Sequence, residues 1–222
     1  MSDELVSKNG HHLNKALSFA IDGGAITSNI NDYYGVVNGI IPDINTFNGV
    51  EYRQQVGNVK LNDFNIKKSE SLLGDYGDAT EVLNGLNIYY PEGDSRLELI
   101  SNLIAQGWQK DLNVFINTSS DTAENIATKI KQNEIKIGII KVYSDNSEAV
   151  PSLNLLSEMG IAKKSTPQTA KELFKLEQEL VSSGTLYPVL SIPSAISFTK
   201  DICDFVSSKD GKVVDFRFIK KS

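Results

Sequence analysis

The sequence predicts an α/β fold, with a mixed, largely parallel central sheet flanked by helices. The first observation behind this prediction is an amphipathic helix near the start of the chain. The second is the order strand, helix, strand, helix, strand over residues 86–143, which is typical of parallel sheets. The third is the length of 222 residues with 40% hydrophobic content, which suffices for one substantial core. We therefore expect a single domain over residues 1–222.

The opening helix is predicted over residues 13–22. Its apolar residues fall at i, i+3, i+4, i+7 and i+8, which places them on one buried face: Leu13, Ala16, Leu17, Ala20 and Ile21. After Gly23 and Gly24, a short helix is predicted over residues 25–30. Residues 31–65 are rich in Asn, Gly and Tyr and show no long periodicity, so we expect an irregular, mostly exposed segment.

The next elements are a short helix, a connector and the first strand of the sheet. Residues 66–73 predict a helix that ends near Gly74, and residues 75–85 predict a connector. Residues 86–90 alternate as a strand does, and a Pro-Glu-Gly turn closes it. Ser95 and Glu98 form an S-x-x-E capping box, which predicts the start of an amphipathic helix. The apolar face of that helix comprises Leu97, Ile100, Ile104 and Trp108.

The pattern of strand and helix then repeats. Residues 112–116 predict a second strand, and Asp121 with Glu124 predicts the start of another helix. Residues 135–143 predict a third strand that is apolar on both faces, as a central strand would be. This order implies two right-handed βαβ units.

The last third of the chain predicts the longest helix and two further strands. Thr166 as N-cap and Pro167 at the first helical position predict a helix that runs to Ser183. Residues 186–192 and 212–219 predict strands, the last of which alternates apolar and charged residues.

Charge and composition argue against several classes of function. The net charge of −6 at pH 7 disfavours a nucleic acid or an anionic membrane as partner. Cys203 is the sole cysteine, which excludes an intrachain disulfide, and we interpret it as a small buried apolar residue. The sequence has no run of 18 apolar residues, so it predicts no membrane span. Residues 1–10 are polar, so we expect any export signal to lie outside this sequence.

The sequence predicts no catalytic residue, cofactor or metal. It contains no GxSxG, GxxxxGK[ST] or HExxH motif and no GxGxxG after a strand. His11 and His12 are adjacent, which favours a solvated terminus over a metal site. We interpret the acids of the long helix as its solvated face; they are Glu172, Glu177 and Glu179.

Several phrases of the sequence, in order, resemble those of one protein family. Ala-Leu-Ser-Phe-Ala-Ile-Asp, followed by Ile26, resembles the "RqALsyAID…I" phrase of the oligopeptide- and dipeptide-binding proteins of ABC importers, the family 5 extracellular solute-binding proteins. Residues 66–77, 86–93, 101–114 and 176–193 resemble later phrases of that family in the same order. In the family these phrases belong to the third, C-terminal lobe, and no segment here resembles the first two lobes. The resemblance implies that residues 1–222 are equivalent to that lobe, with Lys15 and Gly23 as departures from the family pattern.

The resemblance also implies a ligand loop after the third strand. Residues 142–148 resemble the family phrase "W.aDYneP", although Lys141 and Val142 stand where the family commonly has Gly-Trp. The resemblance places Asp145 at the acid that pairs with the α-ammonium of a peptide, an interaction that is stronger in a water-poor cleft. The other ligand-binding residues implied are Tyr143, Ser144 and Asn146. The alternative is that Ser-Asp-Asn-Ser forms an ordinary turn.

The function implied by the resemblance is non-catalytic solute binding for ABC-type import. This lobe would form half of a cleft that closes on a peptide or similar solute outside the cytoplasm and presents it to a membrane permease. Three alternatives stay open. They are a receptor lobe that senses a peptide, a lobe that binds a sugar or a metal chelate, and an α/β hydrolase or transferase without a recognisable motif.

Overall fold

The computed structural model describes residues 10–30, 37–77, 79–142 and 148–191, and the backbone of short strands between residues 202 and 221. The helices in these ranges are α1 (Gly10–Phe19), α2 (Gly23–Ile30), α3 (Tyr52–Val56), α4 (Ile66–Tyr76), α5 (Ala79–Leu83), α6 (Ser95–Leu112), α7 (Ala123–Lys131), α8 (Val150–Glu158) and α9 (Ala170–Ser182). The strands are β1 (Thr46–Phe47), β2 (Val50–Glu51), β3 (Asn87–Pro91), β4 (Asn117–Asp121), β5 (Ile137–Gly138), β6 (Ile202–Cys203), β7 (Val206–Ser207), β8 (Val214–Asp215) and β9 (Lys220–Lys221). Over these ranges, no helix combines the length and the apolar character that crossing a membrane requires.

A parallel sheet with the order β4-β3-β5 confirms the predicted α/β fold. Its register pairs Asn87 with Asn117 and Pro91 with Asp121, and β5 joins only at Ile137 and Gly138. Helices α6 and α7 connect its strands, as parallel pairing requires. All pairs in this sheet are parallel, and the antiparallel pairs form separate two-stranded sheets, β1 with β2, β6 with β9 and β7 with β8. The prediction that the third strand is central was wrong, because β3 lies between β4 and β5.

The apolar residues predicted for the buried face of the opening helix are buried and form the centre of the first core, but α1 starts at Gly10 and ends at Phe19, so Ala20 and Ile21 follow the helix. Leu13 and Ala16 are fully buried, and Leu17 is 1% exposed. Ser69 Oγ on α4 donates a hydrogen bond to the carbonyl oxygen of Ala16 at 2.7 Å. Trp108 Nε1 on α6 donates one to the carbonyl oxygen of Leu17 at 3.2 Å. Helix α1 therefore lies against both α4 and α6, and β3 completes this core with Ile88.

The second strand of the sheet lies further along the chain than predicted. Residues 112–116 end α6 and form a connector, and the strand is β4, whose five residues are polar. Val114 and Ile116 are buried in that connector, where they fill the first core. Because β4 is an edge strand with partly exposed side chains, its own sequence needs no apolar alternation.

Several predicted helix bounds also need correction. Helix α4 continues through Gly74 and ends at Tyr76, and its C-cap is Gly77, whose φ is 87°. The predicted connector contains α5, and α8 was not predicted. Helix α6 is capped by Asp94 rather than by Ser95, and α7 is capped by Thr122 rather than by Asp121.

The C-terminal predictions are also partly wrong. Helix α9 starts at Ala170 after the N-cap Thr169, and its 13 residues make it shorter than α6, which has 18. The Thr169 hydroxyl accepts a hydrogen bond from the backbone amide of Glu172 and so caps the helix. Thr166 and Pro167 therefore lie before the helix. Residues 186–191 form no strand. Strand β8 falls inside the predicted strand 212–219, and the side chain of Cys203 lies outside the described residues.

A second core forms around α3, α8 and α9. Its buried apolar residues are Ile41, Phe47, Tyr52, Ala149, Leu153, Ala170 and Leu173. Three of these belong to the segment 31–65, so the prediction that this segment is mostly exposed was wrong for part of it. The cause is a hairpin, residues 45–51, whose turn residues Asn48 and Gly49 both have positive φ, 53° and 77°.

The side chain of Glu177, predicted on a solvated face, is 2% exposed and lies at the edge of this second core. Its Oε1 accepts hydrogen bonds from the amides of Ile40, at 2.7 Å, and Ile41, at 2.9 Å. Its Oε2 accepts bonds from the Tyr52 hydroxyl at 3.1 Å and from Arg53 Nη1 at 2.9 Å. Arg53 Nη2 lies 2.5 Å from Oε1, which completes a bidentate ion pair. The prediction therefore fails for Glu177, because donors from distant segments offset the cost of burying its charge.

This buried ion pair constrains its neighbours. Burial, with the adjacent Glu177 carboxylate, raises the pKa of Tyr52 far above its ordinary value, so the phenol stays protonated and donates. A side chain at position 39 would collide with the Arg53 guanidinium and the Glu177 carboxylate, which explains Gly39. Glu172 and Glu179, in contrast, are exposed as predicted.

Replacement of Glu177 by Gln should lower the free energy of unfolding by about 3 kcal/mol, because it leaves the largely buried Arg53 guanidinium without its main counter-charge. Urea unfolding followed by circular dichroism measures this change. Glu179→Gln, on the exposed side of the same helix, is the matched control and should change stability by less than about 0.5 kcal/mol. Equal effects of the two substitutions would contradict the role assigned to Glu177.

Two Gly→Ala substitutions should change stability in opposite directions. Gly107 lies inside α6, and a Cβ there would meet no atom within 4 Å, so alanine should stabilise by about 0.5–1 kcal/mol. Gly184 has a φ of 73°, and a Cβ there would lie 2.5 Å from the backbone carbon of Asn14, so alanine should destabilise by about 2 kcal/mol. Thermal unfolding of both variants tests the packing of α1 against the end of α9. A stabilised Gly184→Ala variant would show that the two segments do not pack so closely.

Candidate functional site

The predicted ligand-binding residues Tyr143, Ser144, Asp145 and Asn146 lie outside the described residues, in the segment 143–147. We call this segment the ligand loop. The structure does describe the residues on both of its flanks, up to Val142 and from Glu148 onward. The candidate site is therefore built from these flanks and from the edge of the sheet that the loop follows.

The flank that leads to the loop, residues 139–142, leaves the parallel sheet at its carboxyl edge, after the end of β5. Strands β3, β4 and β5 end at Pro91, Asp121 and Gly138, and because the strands are parallel these ends lie at one edge. Helices α6 and α7 begin at the same edge. In open α/β sheets, ligands bind in crevices outside the carboxyl ends of the strands.

Asp94 fixes the start of the ligand loop. Its Oδ2 accepts a bond from Lys141 Nζ at 2.6 Å, and its Oδ1 accepts one from the backbone amide of Arg96 at 3.1 Å. The Arg96 guanidinium donates to both carboxylate oxygens, at 2.9 and 2.8 Å. The hydrogen bond from Arg96, and then that from Lys141, hold the pKa of Asp94 well below its ordinary range. This one carboxylate thus caps α6 and holds the residue that leads into the loop.

Asp121 forms a second charged group at the carboxyl edge. It accepts bonds from Lys129 Nζ at 2.6 Å, Asn125 Nδ2 at 2.9 Å and the amide of Thr122 at 2.8 Å. These bonds, with that of Lys129 the largest cause, lower the pKa of Asp121 to about 2. Both Asp94 and Asp121 are therefore ionised and already paired with cations, which makes neither a good partner for the ammonium of a ligand.

Glu148 fixes the end of the ligand loop to the hairpin. Its backbone carbonyl accepts a bond from Asn45 Nδ2 at 2.8 Å. Its Oε1 accepts one from the Thr46 hydroxyl at 3.0 Å, and its Oε2 one from the amide of Asn48 at 3.3 Å. The next amide, that of Ala149, donates to the carbonyl of Thr46 at 2.8 Å. Side chain and backbone together thus attach this flank to a part of the chain about 100 residues away.

A cleft of about 210 Å³ lies between α2 and α6, away from this edge. Its floor is apolar, and its rim carries Asp22, Lys110 and Asp111. Gly107, which lines it, lies about 18 Å along α6 from Ser95. The cleft is therefore distant from the carboxyl edge of the sheet. No group of three or more His, Cys, Asp or Glu side chains in the described ranges is placed to hold a metal ion.

The sequence did not predict the contacts of either flank, those of Asp94 with Lys141 and of Glu148 with the hairpin. An Asp directly before a helix is a capping signal, so Asp94 could have been found in place of Ser95. Glu148 has no local signal, because its partners come from the hairpin. The Asn-Gly pair of that hairpin is itself a recognisable turn signal.

Comparison with solved structures shows which known proteins share the fold of this chain. No protein-family model and no curated protein matches the chain. The structure entitled "Structure and mode of peptide binding of pheromone receptor PrgZ" superposes with a TM-score of 0.70 and 16% identity, over 98% of this chain and 45% of PrgZ. The substrate-binding domain of an oligopeptide ABC transporter from Bacillus anthracis superposes with a TM-score of 0.64 and 14% identity, over 96% of this chain and 46% of that one.

A third solved structure agrees with these two. The murein tripeptide binding protein MppA of Escherichia coli superposes with a TM-score of 0.62 and 16% identity, over 86% of this chain and 40% of MppA. In each comparison this chain spans less than half of the length of the solved structure. The chain therefore shares its fold with part of each of these three proteins.

Proposed function

We propose that this chain is a non-catalytic lobe of an extracytoplasmic solute-binding protein that serves ABC-type import. The observation that carries the proposal is the superposition of 98% of the chain on a protein whose structure was described for its mode of peptide binding. The carboxyl edge of the sheet supports it, because this edge is where open α/β sheets bind ligands. The solute would be a peptide or a similar molecule, held between this lobe and the remaining lobes of the protein.

The ligand loop would supply the groups that contact the peptide. Asp145 would pair with the α-ammonium, Tyr143 would pack on the ligand, and Ser144 and Asn146 would provide hydrogen bonds. Two facts support Asp145 over the acids nearby. Asp94 and Asp121 are already paired with cations, and both flanks of the loop are attached to structured parts of the chain.

One lobe alone gives only half of such a cleft. A bound solute shifts a closing equilibrium only if it binds the closed form more tightly, and this requires contacts from both sides. The partners of this lobe would therefore be the other lobes, the solute and, once the cleft is closed, a membrane permease. The isolated chain should bind peptides weakly or not at all.

A peptide-sensing receptor is the second candidate function. It is favoured by one observation, the similarity to a pheromone receptor at a TM-score of 0.70. Both functions use the same cleft and differ in what the closed protein contacts. Uptake of labelled peptides by cells with and without this gene separates them, because only a transport protein should be needed for uptake.

Asp145→Asn should weaken peptide binding about tenfold or more, because an amide cannot replace the ion pair with the α-ammonium. The measurement is calorimetric titration of the product of the complete open reading frame with a pool of short synthetic peptides. Asp75→Asn, an exposed acid on α4, is the matched control and should leave the affinity unchanged. Equal affinities of the Asp145→Asn variant and the wild type would remove Asp145 from the site.

Asp94→Asn should lower the free energy of unfolding by about 1 kcal/mol at pH 7, because asparagine keeps the helix cap but loses the ion pairs. The depressed pKa of Asp94 sets the pH dependence. The stabilisation that the ionised Asp94 carboxylate contributes to folding is complete above its unfolded-state pKa of about 4. This stabilisation is lost as the pH falls toward the lower pKa of the folded state. Urea unfolding of both proteins between pH 2 and pH 8 should therefore show a constant difference above about pH 5 that shrinks on acidification. A difference that is independent of pH throughout would contradict the ionic role of Asp94.

A further inference from the structure

The Asn-Gly pairs of the sequence differ in how the fold holds them. They begin at Asn9, Asn38, Asn48 and Asn84, and Asn9 lies outside the described residues. Glycine has no Cβ, so its backbone nitrogen can approach the Cγ of the preceding asparagine without a steric clash. An Asn-Gly pair can therefore lose its side-chain amide, provided that the backbone between the two residues is free to rotate.

Asn84 and Gly85 are held at both of the groups that would react. The Asn84 Oδ1 accepts a hydrogen bond from the backbone amide of Phe115 at 2.7 Å. The amide of Gly85 donates to the carbonyl oxygen of Phe115 at 2.9 Å. The nitrogen that would attack and the carbonyl group that would be attacked are therefore both fixed to the segment before β4.

Asn38 and Gly39 are held beside the buried ion pair. The Asn38 side-chain amide donates a hydrogen bond to the Asp43 carboxylate. The backbone of Gly39 lies so close to the Arg53 guanidinium and the Glu177 carboxylate that a Cβ would collide with both. Rotation of the peptide between Asn38 and Gly39 would also disturb the bonds that Glu177 receives from the backbone amides that follow.

Asn48 and Gly49 lack such restraints. They form the exposed turn of the hairpin, and a Cβ at Gly49 would meet no atom within 4 Å. Over the described ranges no hydrogen bond holds the Asn48 side-chain amide, and its backbone amide makes a long bond of 3.3 Å to Glu148. Attack requires Asn48 to leave its left-handed conformation, φ 53°. This change opens only an exposed turn, whereas the other two described pairs must break the contacts above.

We propose that Asn48 is a site of spontaneous deamidation. The Gly49 amide nitrogen forms a bond to the Asn48 Cγ, and the bond between Cγ and the side-chain nitrogen breaks. That nitrogen leaves as ammonia with the proton that Gly49 loses, and a cyclic succinimide remains. A water molecule then opens the succinimide at either of its carbonyl groups, which gives aspartate or isoaspartate at position 48. The reaction oxidises and reduces no group, needs no ligand and is independent of the proposed function.

Deamidation places a carboxylate beside the acid that the hairpin binds. The Asn48 amide bonds to the Glu148 carboxylate, so a new negative charge at position 48 repels Glu148. Isoaspartate also adds a methylene to the backbone between the paired residues Phe47 and Val50, which disturbs the register of the hairpin. Both effects weaken the attachment of Glu148, whose other oxygen bonds to the Thr46 hydroxyl.

Incubation in heavy-oxygen water shows where deamidation occurs. The product of the complete open reading frame is kept in mildly alkaline buffer and digested at intervals in ordinary water, and mass spectrometry locates the modified residue. Opening of a succinimide takes up heavy oxygen from the solvent, so the label excludes deamidation during digestion. Labelled product should accumulate at position 48 at least about tenfold faster than at positions 38 and 84. Equal rates at these positions in the folded protein would overturn the proposal.

The same incubation in urea is the control for the role of the fold. Unfolding removes the contacts of Asn38 and Asn84, so the rates at the three positions should agree to within about threefold. If the tenfold preference for Asn48 persisted in urea, the local sequence rather than the fold would select this residue, and the proposal would be overturned.

Asn48→Asp reproduces the new charge without changing the backbone. It should lower the urea midpoint of unfolding, and Glu148→Gln should reduce this shift by about half or more, because it removes the repelling charge. Asn133→Asp is the matched control, at an exposed asparagine outside the hairpin with a φ of 60°, and Glu148→Gln should leave its effect unchanged. An Asn48→Asp shift that is the same with and without Glu148→Gln would overturn the proposed effect on the hairpin.

Discussion

The Glu177 carboxylate sits in the protein interior, where an unpaired charge would cost several kcal/mol. Its burial is sustained because two backbone amides, a phenol and a guanidinium all donate to it. These donors lie 124 to 137 residues earlier in the chain. The second core can therefore form only when α9, α3 and residues 40–41 come together, and the space that the ion pair fills excludes any side chain at Gly39.

The consequences of this pairing extend to the candidate site. Tyr52 and Arg53 follow the hairpin without a break, and the hairpin binds Glu148 at the end of the ligand loop. On the other flank of the loop, Lys141 donates a hydrogen bond to Asp94, and this bond attaches the flank to the start of α6, beside the sheet and the first core. The loop thus joins the two cores of the described chain.

Local signals in the sequence predicted much of the first core and little of the second. The apolar face of α1, strand β3 and the buried face of α6 follow from periodicity, which depends on neighbours in the same element. The burial of Glu177 could not be predicted in this way. Periodicity assigns charged residues to the solvent, and the hydrogen-bond donors that allow this carboxylate to be buried come from another part of the chain. Strand β4 was misplaced for a related reason, since Val114 and Ile116 fill the core from a connector. For the site, the ligand residues stay a prediction from the resemblance, and the attachment of Glu148 could not be predicted because it depends on a tertiary contact with the hairpin.

Under the proposed function, the carboxyl edge of this sheet and the loop that follows Val142 would bind the amino terminus of a peptide. A crystal structure of the product of the complete open reading frame, grown with a pool of short peptides, tests it most directly. The account predicts a peptide whose α-ammonium lies within about 3 Å of the Asp145 carboxylate, with Glu148 bonded to Thr46. A ligand held elsewhere, such as in the cleft between α2 and α6, with the loop making no contact to it, would contradict the account.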